Sequence, residues 1–327
     1  MSILSNIIED NKFTPDHLEW FDAKLFFEGA HRRRNHEQFA LLLLLATIIA
    51  TYGILGDSTA TVIGAMIIAP LMTPIMATAA ALVSGRFDRA IRSVLLVAAG
   101  VTGVIGVSWL LATLSVNTVI SVETNAQISG RISPRLIDLA AALASGAAGA
   151  FALSRKDVAD SLPGVAIAIS LVPPLCVVGA TLSVGEFEAA MGALLLFVTN
   201  FLSILLAGGG VLALLGLGGA ATKELQRSAR RRAFFFIALG AVIVAIPLLT
   251  TSVKVARASM AEAISKNLAQ QWVSGTAYNV SQVLASGNQI NVVINGSGDL
   301  PALAQLGAEI NEALDRPVAI KLTVIPT

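Results

Sequence analysis

Long apolar runs separated by short polar stretches dominate the first 252 residues of the chain. They fall at about 38–55, 59–84, 92–115, 135–153, 163–183, 190–215 and 233–252. A helix needs roughly 20 residues to cross about 30 Å of hydrocarbon, so the pattern predicts seven membrane-spanning helices. Ahead of them, residues 11–30 set Phe13, Leu18, Trp20, Phe21, Leu25, Phe26 and Phe27 among charges. With Thr14 as N-cap and Pro15 at the first helical position, this predicts an amphipathic helix, lying on the membrane surface or packed on the bundle. Residues 253–327 change pattern. "VKVARASMAEAISKNLAQQW" reads as a helix and "AYNVSQVLASGNQINVVING" as two strands around a Ser-Gly-Asn turn. "DLPALAQLGAEINEALD" and "PVAIKLTVIP" then read as a helix and a closing strand, together a small α+β domain.

Composition agrees. Of 327 residues, 55% are hydrophobic and only 13% charged, with a mean hydropathy of +0.77, the profile of an all-α polytopic membrane protein. The net charge of +1 points to no nucleic-acid partner. Cys176 is the single cysteine, which excludes an intrachain disulfide and a thiolate metal cluster. The histidines, at 17, 31 and 36, lack a zinc-ligand spacing, and neither a metal nor a cofactor is expected. The polar residues 1–37 are read as a cytoplasmic N-terminal segment, and the run after Phe39 as the first span rather than a cleavable signal.

Charge gives the orientation. Arg32, Arg33 and Arg34 precede the first span, and Arg86, Arg89 and Arg92 lie between the second and third. Arg155 and Lys156 follow the fourth, and Lys223, Arg227, Arg230, Arg231 and Arg232 the sixth. Every second loop is basic, which places the N-terminus in the cytoplasm. With seven spans, residues 253–327 lie outside the cytoplasm.

A shift of 100 residues aligns the chain with itself without gaps. "DSTATVIGAMIIAPLMTPIMATAAALVSGRFDRA" (57–90) meets "DVADSLPGVAIAISLVPPLCVVGATLSVGEFEAA" (157–190), with Asp57/Asp157, Gly64/Gly164, Pro74/Pro174, Gly85/Gly185 and Phe87/Phe187 coincident. Fixed-period self-similarity marks duplication. The transmembrane repeats then cover 38–116 and 133–216, three helices each, with the helix at 233–252 outside them. An odd number of spans per copy makes the copies enter from opposite sides, an inverted 3+3 repeat plus one.

Pro70 and Pro74 interrupt the second helix, and Pro173 and Pro174 the fifth at the corresponding depth. A proline inside a helix costs about 3 kcal/mol. Irregular backbone at membrane depth is tolerated only where protein or a watery cavity satisfies it. Such breaks leave carbonyls near Met66–Pro70 for a cation, and half-helix amides, with Thr73 as candidate cap, for an anion. Paired interruptions in inverted halves therefore point to a midplane site bounded by Pro70, Met72, Thr73, Pro74, Ser170, Leu171, Pro173, Pro174 and Asn200. Prolines that only kink helices for packing are the plainer reading.

Other polar residues have structural readings beside functional ones. Asp138, three residues from Arg135 and seven from Arg131, reads as a helix-terminal ion pair, with an entrance to the pathway as the alternative. Asn200 can bridge helices or bind at the break, and its repeat partner is Gly100. Asp57 and Asp157 read as N-caps. Gly100, Gly103, Gly106 and "ASGAAGA" (144–150) read as close-packing positions, and the many small residues favour a homo-oligomer. No Lys, Arg, Glu or His lies mid-span, and the chain has no P-loop, HExxH or Gly-x-Ser-x-Gly, so no enzyme is expected.

"RISPRLIDLAAALASGAAGAFAL", "SLPGVAIAISLVPPLCVVGATLSVGEFEAAMGALLLFVTNFLSILLAG" and "GAMIIAPLMTPI" resemble the family known as domain of unknown function 389, over about residues 40–215. Where that family usually shows Ser/Thr-Pro-Asn before a buried aspartate, this chain has Arg135. The resemblance implies a multi-span membrane protein, in the inner membrane of a bacterial cell, and no particular activity. In topology alone the arrangement is similar to the trimeric intracellular cation channels. The sequence thus suggests a membrane channel or transporter for a small ion or solute. The alternative is a membrane-anchored assembly or sensing protein acting through residues 253–327.

Overall fold

The computed structural model describes residues 12–28, 32–115, 122, 124–155, 171–217, 260–286, 289–298 and 300–325, with isolated positions between 231 and 257. The chain divides into two compact units, Met1–Leu249 and Thr250–Thr327.

In the first unit, α1 (Pro15–Leu25) starts at Thr14 with Pro15 in its first turn, although the threonine side chain makes no capping bond. Phe21, Leu25 and Phe26 are buried in the same core as the long helices. Of the two readings of this segment, the helix packed on the bundle is the one found. The long helix α2 (Arg32–Leu55) is followed by α3 (Thr59–Ile68) and α4 (Met72–Val83), then by α5 (Phe87–Leu114). A short α6 (Ala126–Ile132) precedes α7 (Leu136–Leu153); α8 (Val172–Ser183) and α9 (Phe187–Leu214) complete the unit, α9 carrying a π-helical turn at Ile204–Gly208.

Four helices, α2, α5, α7 and α9, are long and apolar enough to cross a membrane. The pair α3–α4, bent by 47° at its break, makes a fifth such segment when counted as one span. Of the fifth expected span only its second part, α8, is described; residues 156–170, and most of 233–252, lie outside the described residues.

Two successive helices recur at one spacing. α4 and α8 begin at positions 72 and 172, and α5 and α9 run 87–114 and 187–214. Both half-helices end in the same cap. Gly85 (φ 72°) and Gly185 (φ 80°) take the left-handed conformation that glycine adopts at little cost. The amides of Arg86 and Glu186 reach back to Ala81 and Thr181, and those of the two glycines to Leu82 and Leu182, the double bond of a Schellman ending.

The second unit holds a helix over 260–272, then β1 (Asn279–Ser286), β2 (Gln289–Asn295), α10 (Leu303–Leu314) and β3 (Ala319–Ile325). The sheet order is β1-β2-β3, antiparallel between β1 and β2 and parallel between β2 and β3. Ile290, Val292 and Ile294 alternate inward against Leu306, Ile310 and Trp272. The three strands lie where alternation in the sequence put them.

Candidate functional site

The break between α3 and α4 is set by Pro70. A proline pushes the residue before it toward extended backbone. Ala69 accordingly takes φ −65°, ψ 122° and ends α3. Leu71 then opens α4 without a side-chain cap, so Thr73 lies inside the helix and is not its cap, contrary to the expectation from sequence. Pro74 falls in the first turn, where a missing N–H has no intrahelical partner to lose. Pro173 and Pro174 hold the equivalent place in α8, behind Leu171. The prolines at 74, 173 and 174 therefore begin helices, and the breaking is done by Pro70. Leu71, Met72, Pro74, Leu171, Pro173 and Pro174 are all buried. Ser170 lies outside the described residues.

Each half-helix packs on the helix that follows the other half-helix. α8 crosses α5 so closely that a Cβ on Gly179 would stand 2.6 Å from the Ile105 carbonyl oxygen and 2.7 Å from the Trp109 nitrogen. At this crossing Ser108 Oγ donates to the Cys176 carbonyl over 2.8 Å. On the other side α4 meets α9, where a Cβ on Gly208 would stand 3.0 Å from Met76 Cε. The pairs are reciprocal under the shift of 100: 108 with 176, and 208 with 76. Gly100 lies against the break, 3.1 Å separating its would-be Cβ from Leu71 Cδ2. Its partner Asn200 is buried in α9, where Thr199 and Ser203 turn their hydroxyls to carbonyls one turn back.

A cavity of about 340 Å³ opens beside α4, with Pro74 and Ala77 in its wall. Its rim carries Arg32, His36, Arg89 and Arg92. Arg89 is held in place: it donates to Asp22 over 2.8 Å and to Glu28 over 2.7 Å, and lies 4.7 Å above the Phe26 ring. Arg86 binds the same Asp22 carboxylate. His36 donates from Nδ1 to the Arg32 carbonyl over 2.8 Å and meets Phe27 edge-on. This ionic lock ties α1 to the α4–α5 turn. Neither partner of it had a sequence signal, because 64 and 67 residues separate Asp22 from the arginines.

The far side of the repeat is organised differently. Asp57 is not an N-cap: Ser58 caps α3, and Asp57, at φ 48°, accepts the Gln127 amide at 3.1 Å. Gln127 Nε2 donates to Thr59, and Asn125 Nδ2 to the Ile54 carbonyl, so α6 is fixed to the α2–α3 turn. Asp157 lies outside the described residues. Arg131 donates to the Gln127 carbonyl and side-chain oxygen at 2.6 and 3.2 Å. Its burial draws its pKa below the usual arginine value, yet a guanidinium keeps its charge at neutral pH. Asp138 accepts the Arg135 amide at 2.7 Å, with Arg135 Nε at 3.9 Å, so it closes the start of α7 as a cap and a loose ion pair. Gly146 packs on Ile204, 2.9 Å from would-be Cβ to Cα, whereas Gly103 and Gly106 meet nothing within 4 Å. Among the described residues, only Gly100 of that glycine series is a packing position within the chain. Among the described residues no group of three His, Cys, Asp or Glu could hold a metal.

Residues 66–206, from the end of α3 into the π turn of α9, match the model of the "Domain of unknown function (DUF389)". The chain is 33% identical over 196 residues to "Uncharacterized protein MJ0678" of Methanocaldococcus jannaschii. That match covers 60% of this chain, and the chain spans about three fifths (59%) of the relative's length. No solved structure matches it. Several apolar helices fit a membrane protein, and the stretch that carries both half-helices is the one that matches the DUF389 family model.

Proposed function

We propose that the chain is a channel or transporter for a small ion or solute, with its pathway between the two proline-started half-helices. One observation carries this reading: two half-helices begin at positions 72 and 172, each with proline in its first turn and each packed on the other copy's following helix. When residue i touches j and j's counterpart touches i's, the copies are related by a two-fold axis. With an odd number of spans per copy, that axis lies in the membrane plane, and transporters of this build place their sites where the interrupted helices meet. The cavity with Pro74 in its wall supports an approach to this place from one side. The run of cations at Arg86, Arg89 and Arg92 supports a cytoplasmic position for that side, and the seventh span expected at 233–252 would put residues 253–327 on the other. Among the described residues, the backbone stretches 66–76 and 171–176 carry no charged side chain, so backbone dipoles do most of the coordination.

The test is flux through purified protein in liposomes, across a panel of monovalent cations, anions and weak acids. Wild-type protein is expected to carry at least one of them. Pro74→Ala combined with Pro174→Ala is expected to abolish that flux while leaving a folded, monodisperse protein. Undiminished flux in the folded double variant would move the pathway elsewhere. No flux for any solute in the wild type would sink the transport reading.

A further inference from the structure

The cavity beside α4 has the chemistry of an anion site. Five basic or acidic groups surround it, and they are not equivalent. Arg89 is spent on Asp22 and Glu28. Arg32 and Arg92 have no carboxylate partner among the described residues, although both stand on the rim. Two unneutralised guanidiniums across one cavity repel each other unless an anion sits between them, and the arginine fork matches phosphate oxygens in pairs. The wall behind them is apolar, formed by Leu25, Phe26, Phe27 and Leu96. α5 presents Leu95 in the lining and Ile91 just outside it, 63% and 59% exposed, one turn apart and flanking Arg92. A free inorganic ion has no use for that apolar flank. A chain-bearing phosphate does.

We infer that this cavity binds the phosphate headgroup of an anionic phospholipid, with Arg92 and Arg32 on the phosphate and an acyl chain along Ile91 and Leu95. Basic pockets between membrane helices are suited to such headgroups. The volume, about 340 Å³, lies within the roughly 300–1,000 Å³ of ordinary small-molecule sites. Occupancy has a structural consequence. The headgroup would bridge the start of α2, at Arg32, to α5, at Arg92, across a wall that includes Pro74 of α4. A lipid seated there braces α4 next to its break. The inference does not depend on what, if anything, crosses the membrane.

Full-length protein in detergent, given phosphatidylglycerol, phosphatidylcholine or inorganic phosphate, tests it by native mass spectrometry and thermal unfolding. Phosphatidylglycerol is expected to be retained at least tenfold more than phosphatidylcholine and to raise the melting temperature. Arg92→Gln with Arg32→Gln should bring its retention down to the phosphatidylcholine level. Arg34→Gln, which removes one nearby charge outside the cavity wall, should keep the preference. Equal retention of both lipids by the wild type would overturn the assignment. So would an equal loss in Arg34→Gln, which would mean diffuse attraction to basic residues. A melting shift from inorganic phosphate that matches the lipid's and vanishes in Arg92→Gln would replace the lipid with a soluble oxyanion.

Discussion

The two half-helices, Met72–Val83 and Val172–Ser183, reach the same backbone by different chemistry. The first follows a proline, Pro70, that forces the preceding residue extended. At the matching place the second copy has Ser170, and doubles the proline inside the helix instead, at 173 and 174. Both end on a left-handed glycine, yet the turn after the first is cationic, "SGRFDRA", and the turn after the second anionic, "VGEFEAA". The cross-packing differs as well. Where α5 offers Ser108 to Cys176, α9 offers Gly208 to Met76, and only α9 carries a π turn there. Backbone geometry was retained between the copies while the side chains at corresponding points diverged.

The tightest point of that comparison is Gly179, whose partner in the first copy is Ala79. Ala79 is buried and carries its methyl group without trouble. A methyl on Gly179 would meet backbone atoms of Ile105 and Trp109 within 2.7 Å, and backbone cannot swing aside as a side chain can. Overpacking of this sort costs about 1–3 kcal/mol. Gly179→Ala is therefore expected to give the largest loss of thermal stability, measured by unfolding in detergent. Gly103→Ala, with nothing within 4 Å, should change it little. If Gly179→Ala were as mild as Gly103→Ala, the α5–α8 crossing would be looser than described, and the reciprocal packing would lose its firmest contact.

Much of this was legible in the sequence, and the reasons are physical. Span-length apolar runs, the alternation in β1 to β3 and the fixed shift of 100 are one-dimensional signals, and the helix bounds follow them closely. Proline position was legible too, but its role was not. Pro74 looks like a breaker in a hydropathy trace, and only the extended Ala69 reveals that the break belongs to Pro70 and that Pro74 opens the next helix. Caps went the same way: Asp57 and Thr73 are good capping residues by type, yet Ser58 and Leu71 occupy those places because the turn geometry assigns them. What the sequence could not give were contacts across long separations. The lock of Asp22 on Arg86 and Arg89, the bond from Ser108 to Cys176 and the seat of Gln127 on Asp57 each join segments more than 60 residues apart.

A smaller effect sharpens the cross-packing. Ser108→Ala removes the hydroxyl that Cys176's carbonyl accepts, but that carbonyl lies inside α8, where helical bonding also serves it. A net hydrogen bond is worth about 0.5–1.5 kcal/mol, so the loss should sit at the low end of that range. The same thermal measurement on Gly208→Ser asks whether the first copy has room for the reciprocal hydroxyl. Its neighbours there are the flexible end of Met76, 3.0 Å away, which can yield, and the Gly146 carbonyl oxygen at 3.2 Å, which must shift only by a few tenths of an ångström. Near-equal, small changes in the two variants are expected. A severe loss in Gly208→Ser alone would mean that the π turn, with Gly146 packed on Ile204, leaves α9 no freedom at that point.

The smallest expected effect separates the entries to the two copies. α2 begins with an exposed Arg33–Glu37 pair one turn apart, of the kind that contributes little. α7 begins with Asp138 accepting the Arg135 amide at 2.7 Å, a capping bond as well as a charge contact. Asp138→Asn keeps an oxygen acceptor for that amide and should lower stability by no more than a few tenths of a kcal/mol. Asp138→Ala removes the acceptor and should cost about 1 kcal/mol, the usual worth of such a cap. Glu37→Gln should be silent beside both. Flux measured on the same variants then decides what Asp138 is for. A cap lost without its charge mattering gives Asp138→Asn wild-type flux. Flux abolished in Asp138→Asn with stability intact would instead make the carboxylate's charge, at the start of α7, part of the route by which the solute enters.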